Sequence, residues 1–133
     1  MTTSATHVPV SSLFTDVEDE FASTRRLLAN FPDEHADWKP HAKSMSLIDL
    51  AAHVASLPEL GRVIAEQSEW NAAETPYVPP TARTREELLA LFDEKVEGAR
   101  RAIASLDATM LESAWRMRNG DIEYFSGQRG PLL

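Results

Sequence analysis

The sequence predicts an all-α fold, a helical bundle of three main helices with a kinked second helix, a long crossover and a short C-terminal hairpin. Three observations carry this expectation. Three stretches repeat apolar residues at helical spacing, with charged residues on the other side. Two of them open on a hydroxyl residue followed three positions later by an acid, the signature of a capped helix start. The stretches between and after them are rich in proline or turn residues and show no period.

Taken in order, residues 1–9 are small, polar and proline-ended, and read as a frayed arm. Leu13, Phe14, Val17, Phe21, Thr24, Leu28 and Phe31 then form one stripe opposite Asp16, Glu18, Asp19, Arg25 and Arg26. Asn30 and Pro32 end this first helix. Residues 32–44 form a loop in which Pro40 biases Lys39 to an extended conformation. Trp38 is expected to clamp this loop on the bundle, because an indole is costly to leave in water. Ser46 with Asp49 caps the second helix, which is expected to turn Leu47, Leu50, Ala51, Val54 and Leu57 to the core. Pro58 kinks or restarts it, and Leu60, Val63 and Ile64 continue the pattern.

Residues 71–83 hold three prolines and read as an extended crossover. Thr84 with Glu87 caps the third helix, with Leu88, Leu91, Phe92, Val96, Ala99, Ile103 and Leu106 on one face. Asp107 begins a turn. Asn119-Gly120, flanked by alternating residues, predicts a hairpin with a type I′ turn. Residues 126–133, SGQRGPLL, are broken by glycine and proline and read as an irregular tail. The expected organisation is one helical domain over residues 10–125.

Composition narrows the function. A net charge of −8 lacks the basic footprint that nucleic acid or anionic membrane requires. With no cysteine, a disulfide framework, a thiolate metal site and a cysteine nucleophile are excluded. The N-terminus lacks the basic start and apolar run of a secretion signal, and the expected location is cytoplasmic.

The residue with the most chemical interest is His53, three positions after Leu50 and four before Leu57, and so expected on the core stripe. It reads either as a core histidine satisfied by a hydrogen bond or as a metal ligand. Asp49, four residues before it, and His41, in the loop leading to the same helix, are the further candidate ligands. No His-x-x-x-His or His-Glu-x-x-His pair gives a compact zinc signature. No Gly-x-Ser-x-Gly elbow or glycine-rich phosphate loop is present. The clustered carboxylates read as solvated helix faces, Arg116 and Arg118 as the outer face of the hairpin.

The run PDEHADWKPHAKSMSLIDLAAHVASLPEL resembles the DinB-like (YfiT-like) superfamily of bacterial four-helix-bundle proteins. The Trp-x-Pro-His loop followed by Leu-Ala-x-His-Val is its most particular part, and the likeness spans about residues 10–125. The resemblance implies an up-down-down-up bundle with residues 71–83 as its crossover. It implies a divalent metal, nickel or zinc, held by three histidines, one of which matches His53. The other two belong to a His-x-x-x-His on a fourth helix, where this sequence has SGQRGPLL. The expectation is therefore an incomplete, unoccupied site and little or no catalysis by the single chain. Alternatives are a metal-dependent hydrolase or thiol transferase completed across a homodimer, and a non-enzymatic dimerising helical module. A bundle reduced to three helices exposes an apolar groove. If about 600 Å² stayed wet, on the order of 15 kcal/mol would be forgone, so a homodimer through that groove is expected.

Overall fold

Hydroxyl and carboxylate side chains start three of the helices. Ser46 Oγ accepts from the Asp49 N–H at 3.2 Å, Thr84 Oγ1 from the Glu87 N–H at 3.2 Å, and Asp107 Oδ1 from the Met110 N–H at 2.9 Å. A computed structural model of the chain describes residues 14–133; the arm expected over residues 1–9 lies outside them. The order is α1 (Thr15–Ala29), a 3₁₀ turn (Asp33–His35), α2 (Leu47–Ser56), α3 (Pro58–Glu66) and β1 (Glu69–Asn71). Then come α4 (Arg85–Ala104), α5 (Ala108–Glu112), β2 (Ala114–Asn119), β3 (Ile122–Gln128) and α6 (Arg129–Leu132). No helix among the described residues is long and apolar enough to cross a membrane.

Pro58 restarts the second helix. Leu57 keeps helical dihedrals (φ −56°, ψ −34°) and Pro58 takes the first turn of α3, where its missing N–H costs nothing. The phase of α2 differs from the expected one. Ile48, Ala52 and Ala55 are buried against Leu28, Phe31, Leu88, Phe92 and Val96, whereas Leu50 is 48% and Leu57 49% exposed. The run LIDLAAHVAS is apolar nearly all round, so its period alone does not choose a face. The alanine side is the one buried in the core shared with α1 and α4. Trp38 also departs from expectation and is 57% exposed. The loop is held by backbone instead, with Leu47 N–H donating to Trp38 O at 2.8 Å and Ile48 N–H to Ala36 O at 2.9 Å.

The fold is not all-α. A three-stranded mixed sheet, in the order β1-β2-β3, stands beside the helices. β1 runs parallel to β2, pairing Glu69 with Arg116, Trp70 with Met117 and Asn71 with Arg118. Three residues are too few for a period-2 pattern, so β1 is invisible to periodicity. Its neighbours make it. The Glu69 carboxylate accepts from Arg116 Nε at 2.7 Å and from Arg118 Nε and Nη2 at 2.9 and 2.8 Å. Asn71 Oδ1 accepts the N–H of Ala73 at 3.1 Å and of Gly120 at 3.0 Å.

The hairpin is present, with its turn one residue later than expected. Asn119 pairs with Ile122, which places Gly120 and Asp121 at the turn centre. Gly120 has φ +60° and no non-glycine residue among those described has positive φ. That pattern fits type II′, with glycine at the first central position, and not type I′. Tyr124 is the extra residue of a bulge, since Met117 faces Phe125 and Arg118 faces Glu123.

The tail is not irregular. β3 continues to Gln128 and α6 follows it. Arg129, only 7% exposed, explains the order. Its guanidinium donates to Ile64 O at 2.7 Å, Gln67 O at 2.8 Å and Ser113 Oγ at 2.5 Å. A cation thus satisfies the unpaired carbonyls at the C-terminal end of α3. Leu132 and Leu133 lie along an apolar groove of about 310 Å³ that α1, α3 and α4 also line through Phe21, Ile64 and Ile103.

Candidate functional site

His53 sits in the last turn of α2, half-buried, on the side that faces away from the alanine core. Its Nδ1 lies 3.1 Å from the Tyr77 hydroxyl, and the two rings meet edge to face with centroids 6.3 Å apart. Tyr77 belongs to the crossover between β1 and α4. The first part of that crossover is fastened to the sheet, because Ala72 N–H donates to Arg118 O on β2 at 2.7 Å and Trp70 Nε1 on β1 donates to Thr75 O at 2.9 Å. A Pro-rich segment so held has little conformational freedom to lose.

Under the crossover opens a cleft of about 770 Å³. His53 and Leu60 line it from α2 and α3, Leu91 and Lys95 from α4, and Met117 and Tyr124 from the hairpin. Trp70, Tyr77, Pro79 and Pro80 complete the wall. A volume of roughly 300–1,000 Å³ with mostly apolar lining and few polar groups is the usual form of a small-molecule site. Glu59 stands at its edge, 3.6 Å from Lys95 Nζ. The hydrogen bonds from Arg62, aided by the Lys95 charge, hold the Glu59 carboxyl below the usual carboxylate range against the opposing effect of burial.

The candidates read from sequence do not converge. His41 is exposed, and its Nδ1 accepts the Lys43 N–H at 3.1 Å within its own turn. Asp49 is exposed in the first turn of α2. Only His53 lies on the cleft. Tyr77, Lys95 and Tyr124 also line the cleft, and no motif in the sequence marks them. The one sequence signal for Tyr77 is an aromatic residue in a run, TPYVPP, that otherwise favours solvent.

The donor set does not fit a resident divalent metal. Among the described residues no group of three His, Cys, Asp or Glu side chains is placed to hold one. A zinc or nickel site needs three or four such donors. With Nδ1 facing the Tyr77 hydroxyl, His53 offers one nitrogen, Nε2.

These features define a class of protein, a small helix-rich domain with a histidine of the second helix opening on a cleft beneath the crossover. The family model of the DinB superfamily matches residues 17–126, and the chain belongs to that superfamily. No curated protein and no solved structure matches it.

Proposed function

We propose that this chain is a ligand-binding member of the DinB superfamily, which takes a small, largely apolar organic molecule into the cleft at His53. In this reading the single chain carries an incomplete metal centre and does little or no metal-dependent catalysis by itself. The cleft carries the reading. It combines about 770 Å³ of space with an imidazole nitrogen that no described residue occupies. The Tyr77 hydroxyl fixes the ring, so that Nε2 meets a ligand without reorganisation. The cytoplasm is the compartment that suits a chain without cysteine.

Saturation-transfer NMR with 3-phenylpropanamide, a neutral apolar probe, tests this. Transfer to the probe is expected from the wild type and not from Leu91→Trp, which fills the cleft. Equal transfer from both would show that the cleft is not the site.

A second reading has the site completed across a homodimer, as a metal-dependent hydrolase or thiol transferase. It is favoured by Leu50 and Leu57, which flank His53 on α2 and are about half exposed. Sedimentation then gives a dimer at tens of micromolar, and protein purified without a histidine tag holds one divalent metal that His53→Ala removes. A monomer without stoichiometric metal discards this second reading.

A further inference from the structure

We infer that the cleft selects an aromatic monocarboxylate, its ring among Trp70, Tyr77 and Tyr124 and its carboxylate on the Lys95 ammonium. The inference rests on the ligand-binding reading of the same cleft and adds the charge and shape of the ligand. Lys95 enters the cleft from α4 with 25% of its side chain exposed. The carboxylate facing it is shared with Arg62. Glu59 Oε1 accepts from Arg62 Nε at 3.0 Å and also from Arg62 Nη2. The remaining oxygen, Oε2, stands 3.6 Å from Lys95 Nζ, too far for a hydrogen bond.

An ammonium has three donors, and the one partner given to it among the described residues is the Glu59 ion pair, whose 3.6 Å leaves room for a closer acceptor. A ligand carboxylate in the cleft supplies a charge-assisted acceptor at hydrogen-bond length, which the Glu59 ion pair does not. The rest of the cleft suits a flat ring. Two tyrosines and a tryptophan offer aromatic faces and edges, and Leu60, Leu91 and Met117 offer only apolar contact. Aromatic walls alone would also suit a cation. Lys95 decides against it, because its ammonium lines the cleft and repels a cation, while Glu59 is shared between Arg62 and Lys95.

The test is calorimetric titration with three probes of one shape, 3-phenylpropanoate, 3-phenylpropanamide and 3-phenylpropylammonium. Wild type is expected to prefer the carboxylate to the amide by about tenfold, the margin of a charge-assisted over a neutral hydrogen bond. Lys95→Met is expected to abolish that preference and Lys95→Arg to keep most of it, with far-ultraviolet circular dichroism reporting that each variant folds. Equal binding of carboxylate and amide, or a preference for the ammonium, would overturn the charge assignment. If those two probes bind equally and Leu91→Trp abolishes both, the cleft reading survives without it. If no probe binds, both fail.

Discussion

Two side chains carry most of the explanation at the scale of the residue. The first is Tyr77, whose hydroxyl ties the crossover to His53 at 3.1 Å. Removing it with Tyr77→Phe loses one exposed hydrogen bond, worth about 0.5–1 kcal/mol. The expected effect is local. Backbone amides of the crossover should exchange faster in deuterium while the unfolding midpoint moves little; an unchanged exchange pattern would leave Tyr77 without a clamping role. The second is Arg129, whose buried guanidinium serves carbonyls of α3 and the Ser113 hydroxyl. Arg129→Ala should destabilise by about 3 kcal/mol in urea unfolding, because one buried and several part-buried acceptors lose a charged donor together. Arg129→Lys should not restore it, since one ammonium lacks the planar fork. His53 was legible from its helix position, whereas its partner was not. Tyr77 lies 24 residues away on a segment without period, and only the path of the crossover brings it near. Lys95 lies on α4 as an ordinary helix cation, and its place on the cleft wall is a property of the fold.

Among the elements, the helices were largely readable, and the sheet only in part. Caps at Ser46 and Thr84 and the restart at Pro58 follow from local chemistry, which acts within one turn. The buried face of α2 did not follow, because Leu and Ala stripes compete on one helix and the packing partners choose between them. β1 exists through contacts made nearly fifty residues away, chiefly the Glu69 carboxylate with Arg118 and Arg116. Those hydrogen bonds, Arg118 first, lower the Glu69 carboxyl from its ordinary 4.5 to about 2. A folded-state value below the unfolded one stabilises the fold above pH 4.5, and that support is lost as pH falls toward about 2. Glu69→Gln should therefore flatten the acid limb of stability between those two values, measured as urea midpoints against pH. An acid limb identical to the wild type would mean that the ion pair does not hold β1. The turn gives a third expectation. A Cβ at Gly120 meets nothing within 4 Å, so Gly120→Ala costs only the conformational penalty of its glycine-type backbone, on the order of 1–3 kcal/mol. A larger loss in the unfolding midpoint would point to a clash that the hairpin does not contain.

Across the whole molecule, the core is divided. One cluster joins α1, α2 and α4 around Phe92, a second joins α3 to the sheet around Trp115, and a third joins α3 and α4 to the α5 segment around Leu106. Small residues on α3 and α4 allow their close packing, with Gly61 facing Ala99 and the Arg62 stem lying over Gly98. The exposed pairs Arg25–Asp93 and Arg100–Glu18 link α1 to α4, and at the surface each contributes little. The cleft lies where the bundle, the crossover and the hairpin meet, so its walls come from parts of the sequence that share no local signal. That is why membership of the DinB superfamily was readable in a loop and one helix, while the cleft was not. The most direct measurement is a histidine-ring nitrogen NMR spectrum of tag-free protein, recorded during separate additions of 3-phenylpropanamide and zinc. The His53 ring signals should move with the organic probe and show no stoichiometric coordination of zinc. Stoichiometric zinc binding through His53, with ring signals indifferent to the probe, would contradict the account.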